Sequence, residues 1–405
     1  MTSEFHRIRR LPPYVFEEVN RLKAQLRARG TDIIDFGMGN PDMPTPTHIV
    51  DKLIETARDP KSGRYSASKG IPGLRRAMAG YYDRRYGVKL NPDTEVIATM
   101  GSKEGFANLA QAITAPGDTV ICPNPAYPIH AYGFIMAGGV IRHVAALSPA
   151  EYLGGISRAM KHSAPPPTVL IVSYPSNPTA QWVDLDFYKD VVALARRHDL
   201  LVLSDIAYSE IYFENNPPPS ILQVDGARDL AVEVNSLSKT YAMAGWRVGM
   251  VVGNARMCAA LARVKSYLDY GAFTPIQVAA TCALNGPQEC VDEIRATYKS
   301  RRDVLVESMA RAGWAIPSPP ASMFAWAPVP EPWREAGSMA FSKALIEEAG
   351  VAVAPGVGFG EYGEGYVRIG LVENEHRIRQ AARNVKRFLG RSDELLGQAH
   401  RFAAQ

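Results

Sequence analysis

The sequence predicts an α/β protein built around a mostly parallel β-sheet, together with a smaller α+β part. Three observations predict this fold. The middle of the chain alternates short apolar runs with longer helical stretches, and these runs are rich in Val, Ile and Leu with little polar alternation. The chain beyond about Gln288 changes to long helices with few short strands. Such runs are typical of parallel strands covered by helices on both faces, and their alternation with helices indicates α/β architecture.

Each element follows from its own pattern. The apolar runs predicted as strands of the sheet are Glu95–Thr99, Thr119–Cys122, Thr168–Ser173, Leu200–Ser204, Ala231–Asn235 and Val248–Val252. Helical stretches such as Leu185–His198 separate them. The predicted elements of the smaller part are a helix at Glu289–Ala312, strands around Met323–Ala327 and Val367–Leu371, and a helix at Glu375–Phe388. The residues Arg391–Gln405 are predicted as a peripheral helix or a frayed end.

Composition excludes several classes of function. The 405 residues carry 45 basic and 41 acidic side chains, a net charge of +4, which is too balanced to predict binding to nucleic acid or to an anionic membrane. The four cysteines form no CxxC pair, so no metal site is expected. No apolar segment has the length of a signal peptide or a membrane span. A cytoplasmic protein is therefore expected.

The segment richest in chemically active side chains surrounds Lys239. It follows a predicted strand directly, so Lys239 is expected on a loop at the edge where open α/β sheets bind ligands. Ser236, Ser238 and Arg247 can donate hydrogen bonds to the oxygens of a phosphorylated ligand. Small and apolar neighbours favour an uncharged, nucleophilic lysine amine. A lysine alone on a loop would indicate little, but these residue types together indicate a binding site for a phosphorylated ligand.

Further polar groups follow other predicted strands. Asn177 stands between two prolines, a pattern that is also typical of a plain turn. Asp205 ends an apolar strand, where it could also cap a following helix. Ser102 and Lys103 open a predicted helix, whose first backbone N–H groups form an anion site.

One arginine points to a carboxylate ligand. Arg368 lies inside a short apolar strand, and arginine is seldom buried without an anionic partner. A fixed guanidinium can hold a carboxylate through two parallel hydrogen bonds. The alternative is a surface arginine on an edge strand.

Together these motifs resemble the class I aminotransferases, which use pyridoxal 5′-phosphate. The resemblance rests above all on the pattern serine, apolar residue, serine, Lys239, with Arg247 eight positions later and Gly249 two further, and it covers about residues 10–390. It implies fold type I, with a seven-stranded, mostly parallel sheet flanked by helices in a large domain over residues 48–287. Residues 1–47 would form an N-terminal arm and part of the small domain, and residues 288–405 the small C-terminal domain.

The resemblance also implies roles for individual residues. Lys239 would form an imine with the cofactor aldehyde and later carry the substrate Cα proton. Asp205 would pair with the ring nitrogen, and Asn177 and Tyr208 would bind the phenolic oxygen. Tyr127 would stack on the ring. The phosphate ligands would be Ser102, Lys103, Ser236, Ser238 and Arg247.

Substrate and partner residues follow from the same resemblance. Arg368 would bind the substrate α-carboxylate, with Asn177 and the backbone of Gly39 close to it. Tyr65 would reach the phosphate of the partner subunit's cofactor, so a homodimer with shared active sites is expected.

Within that family the chain resembles the bacterial glutamate–pyruvate (alanine) aminotransferase group. The likeness rests on stretches such as Met38–Asp42, Arg64–Ser66 and Pro175–Gln181. It implies ping-pong transamination between alanine or glutamate and a 2-oxo acid. Three alternatives stay open: an aminotransferase for diaminopimelate or an aromatic amino acid, a β-carbon–sulfur lyase, and the ligand-sensing module of a regulator.

Overall fold

The structure is a computed structural model that describes residue 5, residues 8–12 and residues 15–396. The predicted terminal helix or frayed end at Arg391–Gln405 therefore lies partly outside the described residues. The described chain divides into two compact units. The larger unit contains Pro41–Asn177 and Gln181–Arg295; the smaller contains the described residues up to Asn40, Pro178–Ala180, and the described residues from Ala296 onward. The predicted domain boundaries after residues 47 and 287 stay a prediction.

The strands, in chain order, are β1 (Ile34–Asp35), β2 (Val96–Thr99), β3 (Thr119–Asn124), β4 (Val140–Ala145), β5 (Pro167–Ser173), β6 (Leu201–Asp205), β7 (Ala231–Ser236), β8 (Gly249–Gly253), β9 (Phe324–Pro328), β10 (Val351–Ala352), β11 (Ala354–Pro355) and β12 (Tyr366–Gly370).

The α-helices, in chain order, are α1 (Phe16–Ala28), α2 (Thr47–Ala57), α3 (Pro72–Tyr86), α4 (Ser102–Ile113), α5 (Ile129–Ala137), α6 (Pro149–His162), α7 (Leu185–Arg197), α8 (Leu237–Thr240), α9 (Ala255–Leu268), α10 (Thr274–Asn285), α11 (Glu289–Arg311), α12 (Gly337–Ala349) and α13 (Glu375–Leu389).

Within the described residues, the larger unit contains a seven-stranded sheet in the order β2-β8-β7-β6-β5-β3-β4. β8 runs antiparallel to both of its neighbours, and the other pairings are parallel. β2 therefore runs in the same direction as β3 to β7. The carboxyl ends of these six strands lie at one edge of the sheet, and β8 begins at that edge. The predicted α/β class and mostly parallel sheet are confirmed.

Both faces of this sheet are covered, as the apolar strands predict. Along β5, Leu170 and Val172 pack into one core with residues of α3, α6, α7 and α10. The alternate side chains Val169 and Ile171 pack into a second core with residues of α4, α5 and α9. Because neighbouring strand residues point to opposite faces, continuous apolar strands serve both cores.

The helices that cross over the sheet begin at side-chain caps. Ser148 Oγ accepts the backbone N–H of Glu151 (3.2 Å) at the start of α6, and Asp184 Oδ1 accepts that of Phe187 (3.0 Å) at the start of α7. These caps satisfy N–H groups that have no partner within the helix. They fix where each crossover turns back over the sheet.

The smaller unit is α+β. β11, β12 and β9 form an antiparallel sheet with β12 in the middle, and β1 pairs in parallel with β10. The helices of this unit are α1, α12, α13 and most of α11. In the part of the chain that the structure describes, no helix combines the length and apolarity needed to cross a membrane.

Candidate active site

The residues predicted to bind the cofactor gather at one edge of the large sheet. The carboxyl ends of β2, β3, β5, β6 and β7 meet there. Asp205 and Ser236 are the last residues of β6 and β7. The other predicted residues lie close to strand ends: Ser102 and Lys103 follow β2, Tyr127 follows β3, Asn177 follows β5, Tyr208 follows β6, Ser238 and Lys239 follow β7, and Arg247 lies just before β8 at the same edge. Ligands of open α/β sheets bind at this edge.

An anion cradle is formed by Gly101, Ser102 and Arg247. Gly101 joins β2 to α4 with a φ of +84°, a conformation that favours glycine. A Cβ at this position would collide with the guanidinium of Arg247, which lies directly against it. Arg247 donates from Nη1 to the carbonyl oxygen of Ala244 (2.9 Å) and from Nη2 to that of Met100 (3.4 Å). Because the first turn of a helix presents N–H groups and positive potential, this arrangement suits a phosphate.

Lys239 lies on the four-residue helix α8, so the predicted loop is wrong at this position. The cause is the N-cap Ser236, whose Oγ accepts the backbone N–H of Ser238 at 3.1 Å. This hydrogen bond turns the chain into a helix as soon as β7 ends. Lys239 is half-buried, whereas both serines are buried. The lysine thus lies on a capped helical turn directly after the strand end.

The carboxylate of Asp205 supplies a negative charge at the same edge of the sheet. We call this carboxylate and the imidazole of His130 the Asp205 pair. Nε2 of His130 lies 2.9 Å from Oδ2 of Asp205, whose Oδ1 accepts the backbone N–H of Ala207 at 3.1 Å. The described chain continues from Asp205 into a turn rather than a helix, so the helix-cap alternative is wrong. Both oxygens are thus held at the end of β6.

His130 is a residue that the sequence analysis did not assign to the site. Its ring is completely buried, with its centroid 5.1 Å from that of Phe106 and 6.0 Å from that of Tyr127. Among the described residues, Nδ1 has no hydrogen-bond partner. A proton on Nε2 therefore satisfies the contact with the Asp205 carboxylate. The signal that could have identified His130 is its position near the start of α5, just after β3.

The two residues predicted to bind the phenolic oxygen of the cofactor lie side by side. The amide Nδ2 of Asn177 donates to the hydroxyl oxygen of Tyr208 at 3.3 Å. Asn177 is buried in the turn that follows β5, and Tyr208 lies in the turn after β6. Tyr127 is half-buried, and the ammonium group of Lys103 lies 5.9 Å from the centroid of its ring.

Tyr65 lies on the surface of the larger unit. Tyr65 is 86% exposed and Tyr270 is 63% exposed, and their rings pack against each other with 4.6 Å between the ring centroids. Two large rings that cover each other and still face solvent are typical of a surface that meets another protein.

The predicted substrate arginine lies in the smaller unit. Arg368 belongs to the middle strand β12 and is only 7% exposed, so the alternative of a surface arginine on an edge strand is wrong. Its guanidinium carbon lies 4.1 Å from the ring centroid of Phe324 and 4.7 Å from that of Phe359. Nη2 donates to the carbonyl oxygen of Gly37 at 3.1 Å. A Cβ on Gly39 would lie 3.9 Å from Nη2, so the predicted glycine is near this arginine.

The candidate site at the edge of the larger sheet therefore has two ends of opposite character. The anion cradle suits a phosphate, and the Asp205 carboxylate suits a protonated ring nitrogen. A lysine amine lies on the helix that follows the neighbouring strand β7. Within the described residues, no three His, Cys, Asp or Glu side chains are grouped as metal ligands are.

The chain matches one family model. The model for aminotransferase class I and II covers residues 31–385. The Rhizobium meliloti (strain 1021) protein AatC is 67% identical over 394 residues, which are 97% of this chain and 97% of AatC. The glutamate-pyruvate aminotransferase AlaC of Escherichia coli (strain K12) is 53% identical over 392 residues, which are 97% of this chain and 95% of AlaC.

More distant relatives and a solved structure agree. The LL-diaminopimelate aminotransferase of Moorella thermoacetica (strain ATCC 39073 / JCM 9320) is 42% identical over 389 residues, 96% of this chain and 99% of that protein. The structure of a single mutant of the Thermus thermophilus aspartate aminotransferase is similar with a TM-score of 0.87 and 29% identity. The match covers 96% of this chain and 100% of that one.

Proposed function

This chain belongs to the class I and II aminotransferases, and from that membership we propose that it exchanges an amino group between alanine or glutamate and the corresponding 2-oxo acids. Pyridoxal 5′-phosphate is the cofactor of this family and fold. The observation that carries the proposal is the position of Lys239, Asp205 and the anion cradle at one edge of one sheet.

The residues of the larger unit fit this cofactor. The anion cradle has the charge and the N–H donors for its phosphate, and a side chain at Gly101 would fill the space that Arg247 occupies. The Asp205 carboxylate, supported by His130, suits the ring nitrogen. We assign the phosphate to Ser102, Lys103, Ser236, Ser238 and Arg247, and the face of the ring to Tyr127.

Bound pyridoxal phosphate supplies an aldehyde carbon that takes up the amino group and a ring that withdraws electrons from the substrate Cα. The side chains of the protein orient the cofactor and the substrate and move protons between them. Lys239 would bind the aldehyde carbon and, as a free amine, would move a proton at the substrate Cα. Asp205 would keep the ring nitrogen protonated, and Asn177 and Tyr208 would bind the phenolic oxygen.

We assign the substrate α-carboxylate to Arg368, with the backbone of Gly39 and the amide of Asn177 as further substrate contacts. The two aromatic rings beside the Arg368 guanidinium support this assignment, because they fix its plane and favour bidentate binding at its edge. A lysine in its place would offer a point charge and no fork.

Alanine and glutamate are proposed because the AlaC relative, named for glutamate and pyruvate, is 53% identical over nearly the whole chain. To test this, the purified protein is mixed with L-alanine and 2-oxoglutarate, and pyruvate and glutamate are measured. Diaminopimelate and aromatic amino acids serve as rival donors, the former because of the relative at 42% identity. A higher kcat/KM for a rival donor would contradict the proposed substrate.

The same assay separates transamination from lyase chemistry. A transaminase of ping-pong type converts the amino donor in the absence of acceptor only once per site. A β-carbon–sulfur lyase would release pyruvate and ammonia from a sulfur amino acid continuously without a 2-oxo acid. Lys239→Ala should remove both the visible absorbance of the bound cofactor and the activity. Full transamination by this variant would contradict the assignment of Lys239.

We further propose a cytoplasmic homodimer in which Tyr65 contributes to the partner's site. The exposed Tyr65–Tyr270 pair supports the homodimer. Inactive Lys239→Ala and Tyr65→Ala subunits, unfolded and refolded together, should recover about a quarter of the wild-type activity, because half of the dimers are mixed and each restores one of two sites. If no activity returns although mixed dimers form, Tyr65 does not act across subunits.

A further inference from the structure

A buried ammonium group lies beside the first turn of α4. Lys265, in α9, is completely buried, and its Nζ lies 3.0 Å from Oε1 of Glu104 and 2.9 Å from Oδ2 of Asp269. We call these three residues the Lys265 triad. Burying the Lys265 charge between two partly buried carboxylates costs free energy that their mutual attraction does not always recover. The position of the triad, between the anion cradle and the exposed tyrosines, indicates its role.

One arm of the triad reaches the anion cradle. Glu104 stands in the first turn of α4, and its Oε2 accepts the backbone N–H of Met100 at 2.8 Å. The carbonyl oxygen of the same Met100 accepts the hydrogen bond from Arg247 Nη2. The peptide groups that lead into the cradle are therefore held on one side by Glu104 and on the other by Arg247. Lys265 fixes Glu104 in the position that makes this possible.

The other arm reaches the exposed tyrosines. Asp269 follows α9, and its Oδ1 accepts the backbone N–H of Gly271 at 2.6 Å, which closes a tight turn around Tyr270. Gly271 has a φ of +78°, and a Cβ there would collide with the carbonyl oxygen of Ala67. The turn therefore lies directly against the segment of Tyr65. Lys265 holds the base of this turn through Asp269.

On the basis of the function proposed above, we propose that Lys265 is a positioning residue that joins the anion cradle to the Tyr65–Tyr270 pair. Affinity for the cofactor phosphate and association of the two subunits then depend on each other through the triad. Coupling of this kind is reciprocal: whatever strengthens one binding event strengthens the other by the same factor. The triad would thus favour complete dimers that contain cofactor.

The first test uses Lys265→Met in the full chain, with the cofactor removed before titration. We expect the Kd for pyridoxal 5′-phosphate to rise about tenfold. The Kd for pyridoxal, which has the aldehyde and ring but no phosphate, should stay as in the wild type. A matched control is Leu261→Ala, a buried substitution in the same helix that leaves the three side chains of the triad in place. Equal losses for both probes would overturn the proposal, because they would indicate general damage.

The second test uses a milder variant at the far arm and does not depend on the fold of Lys265→Met. Asp269→Asn should raise both the dimer dissociation constant, measured by ultracentrifugation, and the Kd for pyridoxal 5′-phosphate. Asp186→Asn, which alters an exposed ion pair, is its control. In the Lys265→Met background, Asp269→Asn should no longer change the cofactor Kd. Independent effects in the double variant, or an unchanged cofactor Kd in Asp269→Asn, would overturn the proposal.

Failure of this inference is distinguishable from failure of the proposed function. A wild-type protein that binds the cofactor but does not transaminate alanine contradicts the proposed substrates, while the ratio of the two Kd values still tests Lys265. A wild-type protein that transaminates alanine, beside a Lys265→Met variant with unchanged cofactor affinity and dimerisation, contradicts only the role of Lys265.

Discussion

The two ends of the proposed cofactor site are built in opposite ways. The Asp205 pair consists of buried side chains that lie 75 residues apart in the sequence. The anion cradle consists mainly of backbone at the start of α4, with Arg247 exposed to solvent. One end is a fixed charge in an apolar surrounding, and the other is a set of donors open to water.

The difference reflects what each end has to do. A carboxylate that keeps a ring nitrogen protonated acts more strongly in a low dielectric, provided that its other hydrogen bonds are satisfied. A phosphate needs several donors and tolerates solvent, as helix N-termini generally show. Substitutions at the Asp205 pair should therefore lower the rate of reaction, whereas substitutions at the anion cradle should weaken cofactor binding. The variants below would sharpen this separation or contradict it.

The largest effect is expected for Asp205→Asn. The amide keeps the shape but cannot hold a proton on the ring nitrogen, so we expect kcat to fall about a thousandfold. The Kd for pyridoxal 5′-phosphate should change little, since the cradle is intact. The value of kcat is measured with L-alanine and 2-oxoglutarate at saturating cofactor, and the Kd by titration of the cofactor-free protein, with Asp186→Asn as an exposed control. A loss confined to cofactor affinity would contradict the division between the two ends.

The next effect is expected for Arg247→Ala. Removing charge-assisted donors from the phosphate should raise the Kd for pyridoxal 5′-phosphate about fiftyfold. At saturating cofactor, kcat should stay close to the wild-type value. Arg76→Ala, on the exposed face of α3, is the matched control. If kcat fell while the cofactor Kd stayed constant, the cradle would act on the chemistry and not on binding.

The sequence predicts well what depends on strand ends. Lys239 and Asp205 are predicted because each follows an apolar run and parallel strands bring their carboxyl ends together, whereas Asn177 is predicted from the family resemblance. The sequence did not predict β4, an edge strand whose exposed residues Arg142 and His143 break the apolar pattern. It also did not predict α8, because a helix of four residues that begins at one cap has too few turns to show a periodicity.

Contacts between residues that lie far apart in the chain could not be predicted from the sequence. His130 meets Asp205 because β3 and β6 end at the same edge. Its position just after β3 indicates that edge, but it does not indicate which carboxylate the imidazole contacts. Lys265 has the same difficulty, since an isolated lysine in a helix is usually solvated. Its role becomes visible only when its burial and its two carboxylate partners are known.

A smaller loss of rate is expected for His130→Phe. Phenylalanine can pack against Phe106 as the imidazole does, but it leaves Oδ2 of Asp205 without the contact to Nε2. We expect kcat to fall about tenfold, as is common when the partner of a catalytic group is removed. The pH profile of kcat should also shift, which loss of packing alone would not cause. His143→Phe, on the exposed strand β4, is the control, and an unchanged kcat and pH profile would remove His130 from the site.

The smallest effect on function is expected at Glu233, a completely buried carboxylate that belongs to neither end. Burial raises the pKa of Glu233 from 4.5 to about 7, even though Ser220 Oγ and the backbone N–H of Ile221 donate to it at 2.7 and 2.9 Å. The folded protein thus binds this proton more tightly than the unfolded chain does. The contribution of Glu233 to the free energy of unfolding therefore falls as pH rises from 4.5 to about 7 and stays low above that.

Glu233→Gln should remove this dependence, because glutamine keeps the shape and does not ionise. Compared with the wild type, the variant should be more stable above pH 7, with the difference shrinking towards pH 4.5, while kcat and the cofactor Kd stay unchanged. Urea denaturation at pH values of about 5 and 8.5 measures this. A loss of kcat would show that a buried charge outside the Asp205 pair also affects the reaction, and this would contradict the proposed contrast between the two ends. An identical pH dependence in both proteins would show that Glu233 is ionised in the fold at an ordinary pKa.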